Sequence, residues 1–355
     1  MRTLEELKML QALPLDIKIA KTQARIREWV NHYGVDGVYV SFSGGKDSTV
    51  LLDIARKMYP EIEAVFVDTG LEYPEIRKFV KTFDNVTIIR PEMLFVDVIK
   101  NYGYPFISKE ASERIANAKK CIAGGGQHTL NTIMNSPKNY PVKVQQLVGA
   151  YPSKRYDFSK WKPLLNVDFN ISHMCCNVMK KKPFHIYNKE NNKVPMIAQL
   201  AEESQLRTTQ WLRVGCNAFE TKDPKSNPMS FWTNKDILQY IKDNNLPIAS
   251  VYGDIVYRDK NDMKYQEMLC DCGAKLCTTG CQRTGCVFCA YGCQEEKGEG
   301  RFQRLKRTHP KQYEYCMNGG EYNEQGIWQP NEKGLGMKHC IDVINSIYGK
   351  DFIKY

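Results

Sequence analysis

The chain has 355 residues, 42% hydrophobic and 25% charged, a globular composition with length for one large core or a core plus a satellite. Its 50 Lys and Arg against 40 Asp and Glu leave a net charge of +10, which favours anionic partners such as nucleotides or nucleic acid. No run of 18 apolar residues occurs and the N-terminus has no signal-peptide apolar core, so no membrane partner and a cytoplasmic location are expected.

Residues 1–34 are predicted to be helical. Leu4, Leu7 and Leu10, then Ile17, Ala20, Ala24, Ile26 and Val30, recur at helical spacing on either side of Pro14. Residues 37–42 form a short β-rich run, 49–56 read as a helix, and 62–67 as a second strand. A helical stretch follows Pro74, and 86–89 make a third strand. Strand, helix, strand at this pitch predicts βαβ units in an α/β fold. The sheet is expected to be parallel, with helices on both faces and ligands at the carboxyl ends of its strands.

Further along, Ser108-Lys109-Glu110 reads as a helix start and Gly124 to Gly126 as a loop. Residues 151–190 are basic and aromatic. A helix is predicted from Val194 through Gln199, a strand ending near Arg213-Val214-Gly215, and an N-capped helix over 233–241. Residues 270–293 carry seven of the thirteen cysteines. In a chain of this size, expected not to be secreted, that density points to metal or redox chemistry rather than disulfides. The expected organisation is N-terminal helices (1–34), a nucleotide-binding α/β domain (35–260) and a cysteine-rich segment with C-terminal helices (261–355).

Ser43-Gly44-Gly45-Lys46-Asp47-Ser48 falls between the first strand and its helix. Two glycines allow a tight turn and close approach to an anion. The unpaired N–H groups of the new helix favour negative charge. Ser43, Ser48 and Thr49 add hydroxyls and Lys46 a point charge, a set suited to pyrophosphate. The spacing is neither G-x-x-x-x-G-K-[ST] nor G-x-G-x-x-G. The plainer reading is a glycine turn with a solvated lysine. Asp47 can hold Mg²⁺ or cap its helix. Asp68 can bind ribose hydroxyls or a metal, or stabilise its own turn.

The hexapeptide resembles the PP-loop of the ATP pyrophosphatases, the adenine-nucleotide α-hydrolase superfamily, which has a HUP-like, Rossmann-like sheet. Asp68-Thr69-Gly70-Leu71-Glu72-Tyr73-Pro74-Glu75 resembles the D-T-G-x-x-[FY]-P-E segment of sulfonucleotide reductases. Cys175-Cys176 followed by Lys180 and Pro183 resembles the C-C-x-x-x-K-x-x-P element of adenylyl-sulfate reductases. Pro105 to Glu110 is similar to a substrate loop, and Asn234 to Tyr252 to a helix and turn, of the phosphoadenosine phosphosulfate (PAPS) reductase family.

That resemblance implies an adenine-nucleotide site of Ser41, Ser43, Gly44, Gly45, Lys46, Asp47, Ser48, Thr49, Asp68, Thr69, Gly70 and Arg213, with Lys46, Asp47 and Asp68 catalytic. It implies ATP with Mg²⁺, or adenylyl sulfate or PAPS, as the nucleotide. It also implies a 4Fe–4S cluster on Cys175, Cys176, Cys286 and Cys289. Zinc on Cys270 or Cys272 with Cys277, Cys281 or Cys293 is a rival, as is a cluster on Cys286, Cys289, Cys293 and one upstream cysteine.

Two departures separate this chain from sulfonucleotide reductases. Its loop is complete where theirs is degenerate, and Cys340 lacks the E-C-G-[IL]-H context of their catalytic cysteine. Both point to ATP-dependent adenylylation of an acceptor with pyrophosphate release, followed by sulfur transfer. The partners implied are a cysteine desulfurase-type sulfur donor or thioredoxin, and a nucleic-acid or small-molecule acceptor. The remaining readings are reduction of adenylyl sulfate or PAPS to sulfite, and a binding module with a structural cluster. Cys216 is a candidate sulfur-carrying thiol, and the basic residues of 297–311 a candidate polyanion track.

Overall fold

The computed structural model describes residues 2–123, 132, 135–257 and 276–355. The loop expected at Gly124 to Gly126, and Cys270 and Cys272, lie outside the described residues. The described chain divides into two compact units: residues 2–91, 182–257 and 276–286, and residues 92–181 and 287–355.

The first unit opens with the two predicted helices, α1 (Leu4–Ala12) and α2 (Leu15–Tyr33). Thr3 caps α1 in a reciprocal capping box with Glu6, and Pro14 separates the helices. Ile26, Trp29 and Val30 turn inward from α2. Lys18, 1% exposed, reaches across to Asp236 (2.6 Å) and to the Gln11 carbonyl (2.7 Å). Asp236 in turn completes the capping box of the helix Asn234–Asp243, where Thr233 is the N-cap. The buried cation is thereby both paired and hydrogen-bonded, the condition under which burying it is tolerable.

The sheet of this unit follows the predicted βαβ walk: β1 (Val38–Ser41), α3 (Lys46–Met58), β2 (Glu63–Val67), α4 (Pro74–Val80), β3 (Val86–Ile89). Its order is β3, β2, β1, Val194–Met196, Lys225–Ser226, Asn217–Ala218. All neighbours pair in parallel except the last two. The expected mostly parallel α/β sheet is therefore present. Val38 and Val40 are fully buried, as parallel strands require. The chain proceeds to one side of β1 first and to the other later, so the order reverses at β1. The crevice beyond the carboxyl end of such a strand is where open α/β sheets bind ligands.

Two predicted elements are corrected. Residues 194–196 form a strand beside β1, not a helix: Val194 N–H donates to the Gly37 carbonyl (2.9 Å) and Ile197 N–H to that of Ser226 (2.8 Å). Pro195 sits between these two donors, where pairing with Lys225–Ser226 has not yet begun, so its missing N–H costs no ladder bond. Residues 205–214 form a helix, not a strand. Ser204 caps it, Trp211 is buried from it, and Gly215 ends it at φ +72.

The second unit holds α5 (Phe95–Tyr102), α6 (Lys109–Ala123) and the helix Val142–Val148. It continues through the helices Arg301–Thr308, Pro310–Met317 and Met337–Tyr348. Ser108 Oγ accepts the Ala111 N–H (3.1 Å), which starts α6 as predicted. A short parallel pair joins Phe106–Ile107 to Ala290–Tyr291. Tyr104, Phe106 and Phe169 cluster in its core. Among the described residues no helix is long and apolar enough to cross a membrane.

Candidate functional site

In the first unit, the turn from β1 into α3 is residues 43–48. Gly44 adopts φ +67, and a Cβ there would lie 2.7 Å from Val80 Cγ2 and 2.8 Å from Ile76 Cγ2 of α4. Glycine is required at 44 on both counts. Ser43 Oγ and Ser48 Oγ are 3.0 Å apart, and both Ser48 and Thr49 donate to the Gly45 carbonyl (2.9 and 3.0 Å). These hydroxyls lock the loop onto the first helical turn. Lys46 is 3% exposed, and its ammonium meets Asp47 Oδ1 at 3.0 Å. A buried cation therefore stands at a helix N-terminus, beyond the carboxyl end of the strand at which the sheet reverses. Ser41 ends β1 directly before this turn.

Asp68 follows β2. Its Oδ1 accepts the Gly70 N–H (3.3 Å), and its Oδ2 accepts from Arg77 (2.9 Å), with Arg90 at 3.7 Å. Thr69 N–H and Oγ1 both bind the Glu72 carboxylate (3.1 and 2.7 Å), and Gly70 takes φ +74. The segment is a self-locked turn whose aspartate is neutralised by two arginines.

Several neighbours of the loop have no local sequence signal. Arg207, on the helix Gln205–Val214, pairs with Glu203, and Arg283 pairs with the same carboxylate. Burial and the nearby Arg283 charge lower the Arg207 pKa, while Asp47 raises it. Burial raises the Glu202 pKa; Asp236 and Asp47 add to this, while the Asn234 N–H and Lys46 oppose it. Tyr252 OH accepts the Lys46 N–H (3.2 Å), and burial pushes the phenol up to about 12. Arg213, the arginine singled out by sequence, is exposed in the last turn of the Arg207 helix. Cys216 Sγ lies 3.3 Å from Ser230 Oγ, and burial raises its pKa. A cavity of about 10 Å³ lined by Trp211, Asn227 and Ser230 holds at most one water.

In the second unit, Cys175-Cys176 precede a widened π-type turn, Asn177–Lys181. Cys289 immediately precedes the strand Ala290–Tyr291. The Tyr291 phenol is raised by burial and then by the charges of Cys176, Cys289 and Cys175, so all three thiols act electrostatically on one phenol. Burial also raises Cys289, against Arg301 and Lys180, which favour its thiolate. Burial takes Cys293 up to about 12. Arg301 donates to the Cys289 carbonyl (2.5 Å) and pairs with Glu296 (3.0 Å). Burial disfavours the Arg301 charge, yet Cys293, Glu296 and Cys289 more than restore it.

Ile107, paired with Tyr291, has φ +68 although it is β-branched and fully buried. That geometry costs about 1–3 kcal/mol and marks a constrained segment. Among the described residues, no three His, Cys, Asp or Glu side chains converge as a single metal ion requires. A cubane instead spreads its thiolates around four irons. The sulfur set about Tyr291 suits such a group in donor type. The basic run 297–311 is partly spent internally: Arg301 pairs with Glu296, and Arg304 and Arg307 with Glu299. Cys340 is fully buried, and burial drives its thiol well above the ordinary range.

Fold and site together define a mostly parallel α/β protein with an anion-suited turn at its switch strand and grouped cysteines. The sequence profile of the phosphoadenosine phosphosulfate reductase domain matches residues 37–99 and 127–291, and the chain belongs to that family. It is 22% identical over 250 residues to an adenosine 5′-phosphosulfate reductase of Staphylococcus epidermidis, across 69% of this chain and 73% of that protein. Two uncharacterized proteins of Methanocaldococcus jannaschii match more closely but locally. One is 35% identical over 72 residues, the other 42% over 73, each across 19% of this chain. The chain spans 18% and 15% of those two relatives. A crystal structure of PAPS reductase from Candida auris, a phosphate complex, aligns at 14% identity and TM-score 0.35, over 70% of this chain and 90% of that one.

Proposed function

We propose that the chain is an enzyme that binds an adenine nucleotide at residues 43–49 and transfers its adenylyl group to an acceptor, releasing pyrophosphate, ahead of a sulfur transfer. The observation that carries this reading is the complete Ser43-Gly44-Gly45-Lys46-Asp47-Ser48 loop, locked by its own hydroxyls around a buried lysine where the sheet order reverses. Lys46 exchanges Asp47 for phosphate oxygens, and the α3 N-terminus adds its N–H groups. Asp47, 28% exposed and released from Lys46, is the carboxylate suited to Mg²⁺. When bound, Mg²⁺ offsets charge on the leaving pyrophosphate. Asp68, already held by Arg77 and Arg90, is better suited to ribose hydroxyls beside Thr69 and Gly70 than to a metal. Arg207, whose charge is favoured by Asp47, is the arginine we assign to the nucleotide in preference to the exposed Arg213.

A 4Fe–4S cluster on Cys175, Cys176, Cys286 and Cys289 belongs to the same proposal. Cys175, Cys176 and Cys289 are supported by their shared action on Tyr291, and Cys286 by its C-x-x-C spacing alone. Such a cluster supplies electrons or a sulfur-binding iron. Lys180 and Arg301 offset the charge of its thiolates. A cysteine desulfurase-type protein is the proposed sulfur donor, and nucleic acid or a metabolite the acceptor.

The second reading is reduction of adenylyl sulfate to sulfite with thioredoxin as reductant. It is favoured by the similarity to an adenosine 5′-phosphosulfate reductase over most of both chains. Competition binding separates the two. Under the first reading ATP with Mg²⁺ binds at least tenfold more tightly than adenylyl sulfate, and Lys46→Ala abolishes the difference. Tighter binding of adenylyl sulfate overturns it.

A further inference from the structure

Glu203 holds two arginines within the unit that carries the loop. Arg207 pairs with one oxygen of its carboxylate, and Arg283, 80 positions along the chain from Glu203, with the other. Glu203 Oε2 also accepts the Leu200 N–H (3.3 Å), which ties the carboxylate to its own turn. The Glu203 side chain is 17% exposed and that of Arg283 64%, so the carboxylate is the fixed hub and the second guanidinium is open to solvent.

One carboxylate offsets one guanidinium, so this hub carries surplus positive charge. Burial and then the Arg283 charge disfavour the protonated form of Arg207, and Asp47 favours it. A hub built for stability alone needs only one of the two arginines. The other adds repulsion at a position where an exposed ion pair contributes at most about 1 kcal/mol. Each guanidinium presents more N–H donors than its share of one carboxylate can accept, in a planar fork that matches phosphate oxygens.

The hub lies beside the turn that opens α3 on two independent grounds. Asp47 of that turn acts on Arg207. On the other side, Arg283 directly precedes Thr284, whose Oγ1 would stand 3.5 Å from a Cβ on Gly45. Thr284 Oγ1 also shares a 2.6 Å hydrogen bond with the Tyr252 hydroxyl, which accepts the Lys46 N–H. The Arg283 backbone is thereby held one residue from a contact with the loop. Glu202, the other carboxylate near the loop, is committed elsewhere: it accepts the Asn234 N–H (2.5 Å).

We propose that Arg283 is a substrate-binding residue which, with Arg207, receives the β- and γ-phosphates of ATP. The incoming polyanion takes up the unused N–H donors and relieves the repulsion between the two guanidiniums. A nucleotide without those phosphates gains nothing from Arg283, so position 283 sets the preference for triphosphate over monophosphate. The inference rests on the reading of residues 43–49 as the nucleotide site.

The test is isothermal titration of the full chain with ATP·Mg²⁺ and, separately, with AMP. Wild type, Arg283→Ala, Arg283→Lys and Lys46→Ala are compared, with melting curves to check folding. Arg283→Ala is expected to weaken ATP about tenfold, the size of a hydrogen bond to a charged group. AMP binding changes less than about twofold, a split that a merely structural role would not produce. Arg283→Lys keeps the charge and loses the fork, and is expected to weaken ATP about threefold or more. The proposal is overturned if ATP binds Arg283→Ala like wild type, or if ATP and AMP weaken by the same factor. ATP affinity unchanged in Lys46→Ala would show instead that ATP binds away from the loop, which defeats the functional reading and this inference with it.

Discussion

Two arginines on one helix give a sharp contrast at the scale of single residues. Arg207 feels the Asp47 charge and pairs with Glu203, whereas Arg213 is exposed six residues further on. Arg207→Ala is expected to weaken nucleotide binding at least tenfold and Arg213→Ala less than twofold, measured by isothermal titration. The reverse order would restore Arg213 to the site. A second residue-scale prediction concerns Lys119, whose pKa falls to about 8 because burial opposes its charge more than Asp168 and Cys340 favour it. Between that value and the ordinary 10.5 the unfolded chain binds the extra proton, so this group's contribution to stability rises with pH across that window. The stability of wild type relative to Lys119→Met in urea should therefore rise between pH 8 and 10. A constant difference would show that Lys119 titrates normally.

Secondary-structure elements were legible in proportion to how local their causes are. β1, β2 and β3 are short runs rich in β-branched and aromatic residues between turn residues, and the α1 and Thr233 capping boxes are written in four residues each. Val194–Met196 was not legible, because Met, Ala and Gln around it favour helix and only pairing with β1 makes it a strand. The helix Gln205–Val214 is hidden for the converse reason: Trp211, Leu212 and Val214 resemble a strand end and outweigh the single Ser204 cap. The loop itself was readable, but Arg207, Glu202 and Tyr252 were not. Tyr252 touches Lys46 across 206 positions of sequence, and no local spacing encodes such a contact. The α3–α4 junction supplies an element-scale test. Gly44→Ala places a Cβ against Val80 and Ile76 at positive φ and should cost about 2–4 kcal/mol in urea unfolding. A loss under 0.5 kcal/mol would mean the loop has another accessible conformation.

Across the whole molecule, the chain passes between its two units more than once, and the chemistry is divided accordingly. The anion-suited turn belongs to the first unit, and Cys175, Cys176 and Cys289 to the second. Composition makes the cysteines conspicuous, but Cys175, Cys176 and Cys289, which all act on the Tyr291 phenol, stand more than a hundred residues apart in sequence. Anaerobically purified protein is expected to be brown, with about four irons per chain. Cys175→Ser, Cys176→Ser and Cys289→Ser should each lose most of that iron, while Cys121→Ser keeps it. Colourless protein with one zinc would contradict the cluster.

The most direct measurement follows the fate of ATP. Anaerobic, iron-loaded protein is given α-labelled ATP and, in a parallel reaction, adenylyl sulfate with thioredoxin. The account predicts Mg²⁺-dependent pyrophosphate and an adenylylated product or AMP from ATP, reduced at least a hundredfold in Lys46→Ala. Sulfite from adenylyl sulfate with no pyrophosphate from ATP would contradict it.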